Sequence, residues 1–246
     1  MQSKDSDPRG CTRYLDRRSF MHTGTLVGAG LIVPVTITAE QRAGGRGGDE
    51  PEEDVAPPED LMREHGVLKR VLLVYEEAIR RIDGKKDVPV DAVKNGADVI
   101  RTFIEDYHEK LEEDYLFPRF EKAGKLADLT KVLREQHQAG RRVTAQITQL
   151  ATAQTLKNPA STAKLKESMR QFVRMYEPHE AREDTVLFPA LRSVVSKNEF
   201  DALGEDFEKK EHDLFGEDGF EKMVERVASI EKSIGIYDLA QFTPRS

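Results

Sequence analysis

Six side chains in this sequence have the types and spacing needed to hold metal ions. His108 precedes Glu112 by four residues, and His179 precedes Glu183 by four. In a helix, residues i and i+4 share a face about one turn apart, so each pair presents an imidazole and a carboxylate in one direction. His65 and His137 each stand ahead of one such pair. Imidazole suits iron, zinc, copper and nickel, while carboxylate suits harder ions. A structural zinc takes four ligands in a tetrahedron. Six donors including two carboxylates are too many for one zinc and natural for two six-coordinate ions. A Glu can bridge both ions with its two oxygens, and two His complete four protein donors to each. An oxo or hydroxo bridge could take a fifth site. That leaves about one open position per ion, where O₂, NO or peroxide would bind. The donor set therefore points to a pair of irons. Each motif alone is a weak signal, because a lone helical His is commonly a core or surface residue and His-x-x-x-Glu is an ordinary helical pair. The weight lies in the set: four of the five histidines outside the N-terminal leader fall into one pattern, with both carboxylates in the same register.

That pattern is a repeat. His108-Glu109-Lys110-Leu111-Glu112, followed by Leu116-Phe117-Pro118, matches His179-Glu180-Ala181-Arg182-Glu183, followed by Leu187-Phe188-Pro189. Glu64-His65 with Lys69-Arg70 matches Gln136-His137 with Arg141-Arg142. The body thus reads as two copies of a helical hairpin. The first helix of each copy carries one His and the second carries the His–Glu pair. Packed about a pseudo-twofold axis, the four motifs converge in a bundle core, a known way to build a metal site. The apolar periodicity agrees. Leu61, Leu68, Leu72 and Tyr75 mark a helix from about Pro58 to Asp83-Gly84. A second starts near Pro89, where proline suits the first turn, and runs to about Leu116. A third spans about Leu126–Ala153, a fourth about Ser161–Val195, and two shorter helices cover about 199–213 and 218–233, separated by Gly216 and Gly219. The expected fold is all-α: an up-and-down four-helix bundle over 59–196 with a C-terminal helical extension over 197–246. Pro178 should kink the fourth helix just before His179. Phe117 and Phe188 should line the core or the pocket, and Pro118 and Pro189 should bend or end their helices.

Composition narrows the function classes. The chain is 38% hydrophobic and 34% charged with no Trp, which fits a helix-rich globular protein. Residues 1–39 carry Lys4, Arg9, Arg13, Arg17 and Arg18 against Asp5, Asp7 and Asp16, a net of +2, so the remainder carries −9 of the total −7. So acidic a body lacks the basic stripe that nucleic acid requires. Cys11 is the single cysteine, which excludes an internal disulfide framework. Arg17-Arg18-Ser19-Phe20, a short apolar run over Thr23–Val35 and small residues at Thr36, Thr38 and Ala39 are the parts of a signal peptide. The paired arginines resemble the twin-arginine export signal. The apolar run is shorter than the ~20 residues a bilayer span needs, so no stable membrane insertion is expected after processing. Residues 40–58, rich in Gly, Glu, Asp and Pro, read as a flexible linker. The expectation is a protein delivered by the export machinery to the periplasm or cell envelope.

The order His65, His108/Glu112, His137, His179/Glu183, with Leu-Phe-Pro after each pair, resembles the hemerythrin-like (HHE cation-binding) family over about 58–195. The resemblance implies a non-heme di-iron centre that binds a small diatomic or peroxide, for sensing, carriage or detoxification. It also admits a di-iron redox enzyme (peroxidase, ferroxidase or nitric oxide reductase) or an iron-storage or iron-donating module. The oxygen-carrying hemerythrins of marine worms use five His, two of them on one helix. This sequence has no second His four residues after His137, and its four-His, two-Glu set is closer to that of bacterial di-iron proteins linked with repair of iron–sulfur centres and nitric oxide stress. His212, the remaining His outside the leader, lies in the charged run Glu208-Lys209-Lys210-Glu211-His212-Asp213 and is expected in solvent rather than in the site.

Overall fold

The computed structural model describes residues 55–244. The signal segment expected over 1–39 and the linker up to residue 54 lie outside the described residues. Seven helices follow in order: α1 (Pro57–Asp83), α2 (residues 90–123), α3 (Ala127–Leu150), the single turn α4 (Ala153–Leu156), α5 (residues 159–190), α6 (Lys197–Phe215) and α7 (Gly219–Ile234). Among the described residues there is no strand, and no helix is long and apolar enough to cross a membrane.

Local chemistry sets the helix ends. Prolines 57 and 58 open α1, where a missing N–H costs nothing, with Glu59 and Asp60 in the first turn and Arg80 and Arg81 in the last, as the helix dipole favours. Asn158 caps α5 by accepting from the Ala160 and Ser161 amides. Ser196 and Glu199 form a reciprocal capping box at the start of α6. Gly124 and Gly235 end α2 and α7 in the left-handed conformation. The expected separator Gly216 lies between α6 and α7 at φ 73°, whereas Gly219 is the first residue of α7, where a Cβ would come within 2.9 Å of Glu211 Cγ and Phe215 Cβ.

Helices α1, α2, α3 and α5 form the bundle, each packed on its two neighbours in the ring α1–α2–α3–α5. Leu61, Leu68, Leu72 and Tyr75 of α1 meet Val93, Ile100, Phe103 and Ile104 of α2 and Leu165, Met169 and Phe172 of α5 in a fully buried core. Each such side chain contributes about 1.5–3 kcal/mol on burial. Helix α7 covers α1 and α2 from outside, and α6 packs on α1 and α7.

Helix α2 runs seven residues past its expected end at Leu116. Its continuity depends on a local change of pitch. Residues Glu112–Leu116 of α2 and Glu183–Leu187 of α5 are π-helical, and the Glu112 and Glu183 carbonyls accept from the Phe117 and Phe188 amides five residues on. Proline has no N–H, and its ring crowds the carbonyl four residues back. For Pro118 and Pro189 those carbonyls belong to Asp114 and Thr185, inside the wide turns. A wide turn precedes each of these prolines, and both helices go on through them; α2 is π-helical over Ile100–His108 as well. Pro178 sits inside the α-helical part of α5, ahead of the change of pitch that begins at Glu183.

Candidate metal centre

One turn on each of the four bundle helices carries the site. Helix α1 supplies His65, α2 supplies His108 and Glu112, α3 supplies His137, and α5 supplies His179 and Glu183. All six are at most 3% exposed. The structure brings together every candidate residue expected from the sequence. Ligand atoms of His65, His108 and Glu112 lie within 4.8 Å of one another, and so do those of Glu112, His137, His179 and Glu183.

The atoms that face inward are the four Nε2 nitrogens and the two carboxylates. His65 and His108 Nε2 are 3.0 Å apart. Glu112 Oε2 lies 3.3 Å from His137 Nε2 and 3.8 Å from His108 Nε2. Glu183 Oε2 lies 3.1 Å from His179 Nε2 and 3.4 Å from His65 Nε2. Each carboxylate therefore reaches one imidazole from each hairpin.

The outward nitrogens are all held. Asp184 Oδ1 stands 2.7 Å from His65 Nδ1, and Glu64 Oε2 is 2.7 Å from His108 Nδ1. Glu113 Oε1 is 3.1 Å from His137 Nδ1, and Gln136 Oε1 is 2.9 Å from His179 Nδ1. With an acceptor on every Nδ1, the proton sits there and the Nε2 lone pair is free to bind metal. The pattern follows the repeat. The residue before each lone His holds the His of the paired motif in its own hairpin, and the acid after each Glu holds the lone His of the other hairpin. Aromatic rings close the ends: Phe188 stacks on His65 at 5.4 Å and Phe117 on His137 at 5.5 Å.

The electrostatics are those of a site built for cations. Burial and the neighbouring Glu183 charge push the Glu112 carboxyl well above the ordinary range, while His179 and His65 outweigh burial and hold Glu183 well below it. Burial would lower the His65 imidazole, but Asp184 and Glu183 hold it up at about 9, so a cation binding at His65 Nε2 would displace a proton. Burial and the His65 charge hold His108 down. Both oxygens of Glu112, both oxygens of Glu183 and His137 Nε2 are buried with no hydrogen-bond partner. Two carboxylates buried this close are costly together, and the raised Glu112 carboxyl carries that cost. A bound cation would remove that cost, so the donor set and its orphaned atoms fit a metal.

Sequence similarity bears on the same residues. The Hemerythrin HHE cation binding domain family matches this chain over residues 56–163 and again over 131–243. The chain belongs to that family. The hemerythrin-like fold accounts for the up-and-down bundle and for convergence of the His and Glu motifs at mid-helix. The uncharacterized proteins Rv1995 of Mycobacterium tuberculosis and Mb2018 of Mycobacterium bovis are each 54% identical to it over 202 residues, covering 81% of this chain and 79% of the relative. No solved structure matches the chain.

Four residues that hold the imidazoles were not assigned a role from sequence. Glu64 and Gln136 were visible as members of the repeat, whereas Glu113 and Asp184 carried only the signal of an acid after each Glu of the motif. His212 is exposed on α6, outside the metal-capable groups.

Proposed function

We propose that His65, His108, Glu112, His137, His179 and Glu183 hold a pair of irons, and that the protein is an exported non-heme di-iron protein that binds O₂, NO or peroxide. The observation that carries this reading is the reach of Glu112 and Glu183, each to one imidazole of either hairpin, with both oxygens of each carboxylate buried and without hydrogen-bond partners. One tetrahedral zinc uses four ligands and would leave two of the six residues as buried, unmatched groups. When bound, the irons would supply Lewis-acid and one-electron redox chemistry toward a small oxidant. The chain's own residues prepare for that. The Nδ1 acceptors fix the imidazoles with Nε2 inward. Phe117 and Phe188 stack on two of the rings.

Elemental analysis of protein purified from iron-replete cells tests the reading. Near two iron equivalents per chain are expected, and one zinc with no iron would overturn it. Glu112→Ala and Glu183→Ala should each lose most of the metal, because each removes a contact to both positions. A binder saturates after one equivalent of peroxide or NO in stopped flow; continued consumption would make the protein an enzyme instead.

A further inference from the structure

We propose that the two metal positions are unequal, and that Gln136 is the positioning residue that makes the His137/His179 position the weaker and faster-exchanging one. The inference rests on the di-iron reading and adds to it which ion is labile and why.

The repeat allows the two positions to be compared within one molecule. At the first, both imidazoles are backed by carboxylates: Asp184 behind His65 and Glu64 behind His108, each at 2.7 Å. At the second, the counterpart of Glu64 is Gln136, so His179 Nδ1 donates to a neutral amide at 2.9 Å. The remaining carboxylate there, Glu113, sits farther off at 3.1 Å and is shared. Its Oε2 accepts from Lys110 at 2.6 Å, and Oε1 is 2.8 Å from Arg141 Nη2. Lys69, the counterpart of Arg141, instead engages Glu177 at 2.8 Å and Glu180 at 3.6 Å.

A carboxylate behind a ligating imidazole makes the ring a stronger donor and adds negative charge close to the cation, whereas an amide fixes the ring without either effect. Two carboxylates back the first pair. One amide and one carboxylate that also serves two cations back the second. Changes to such backing groups alter metal affinity about 10–100-fold. The structure therefore assigns the tighter ion to His65 and His108, and the exchangeable ion to His137 and His179.

The test uses the full chain loaded with two ferrous ions, challenged anaerobically with excess ferrozine and followed by absorbance. Wild type should release iron in two phases of equal amplitude, with rates differing about 10–100-fold. Gln136→Glu should abolish the fast phase, so that both ions leave slowly. Glu64→Gln should abolish the slow phase, and being isosteric it keeps the test open if the first variant folds poorly. Mössbauer spectra of ⁵⁷Fe protein should show two distinct sites in wild type that move together in Gln136→Glu, a change that a merely structural role would not produce. A single release phase in wild type, or a fast phase unaltered in Gln136→Glu, overturns the proposal. Fewer than two bound irons before the challenge would refute the di-iron reading itself, which separates the two failures.

Discussion

At the scale of single residues, the two halves of the bundle differ at Gly140, which stands where the first half has Leu68. A Cβ built on Gly140 would stand 2.1 Å from Tyr176 Oη and 2.8 Å from its Cζ. The missing side chain is what lets Tyr176 lie fully buried between α3 and α5, its ring 5.3 Å from that of His179. There its hydroxyl donates to Glu109 Oε1 at 2.6 Å, and Arg141 pairs with Glu109 Oε2 at 2.7 Å. Burial outweighs both partners and raises the Glu109 carboxyl to about 8. Gly140→Ala should destabilise the protein by about 1–3 kcal/mol, the usual cost of overpacking, read as a lower midpoint in urea unfolding. An unchanged midpoint would mean that the tyrosine has another place to go. His212 gives the opposite expectation. It is exposed on α6, so His212→Ala should keep full iron content and an unchanged optical spectrum. A shifted ligand-to-metal band would bring it into the metal shell.

At the scale of elements, the C-terminal end of α1 offers a pH-dependent contribution to stability. Glu77 accepts two hydrogen bonds from Arg80 and one from Arg81, all at 2.7 Å. Burial alone would raise its carboxyl, and the two guanidinium groups hold it below the ordinary value. A depressed carboxylate stabilises the fold above its unfolded pKa of about 4.3 and loses that contribution as pH falls through the folded value. Glu77→Gln should therefore cost about 0.5–1.5 kcal/mol at pH 7. The gap between variant and wild type in thermal unfolding should close in acid; a gap that stays constant would remove the charge from the account. The bundle helices themselves were legible from apolar spacing, because Leu61, Leu68, Leu72 and Tyr75 all fall on the buried stripe. The candidate metal-holding residues were legible because i and i+4 share a face. Glu113 and Asp184 were not, since a neighbour in sequence points about 100° away around a helix; what places them against His137 and His65 is the adjacent helix. The run of α2 through Pro118 was hidden for a related reason. A proline signals a stop, and only the carbonyl arrangement of the preceding turn shows how the helix accommodates it.

At the scale of the whole molecule, α7 is tied to the bundle as well as packed on it. Arg70 of α1 makes two bonds to Glu231, at 2.9 and 2.5 Å, and Arg81 donates to the Ile234 carbonyl at 2.6 Å. The proposed export route bears on when metal enters. The twin-arginine route carries folded proteins, so iron would be loaded in the cytoplasm before transfer. Replacing Arg17 and Arg18 by Lys should leave the precursor in the cytoplasm, followed by cell fractionation. Unchanged delivery to the envelope would make the pair part of an ordinary leader. The crossed backing of the lone histidines has a consequence of another kind. His65 leans on Asp184 from the second hairpin, and His137 leans on Glu113 from the first. A half-length chain could meet that demand by pairing with its own copy, but every change would then appear twice. Joined in one chain, the halves are free to diverge: Gln136 stands where the first half has Glu64, and Gly140 where it has Leu68.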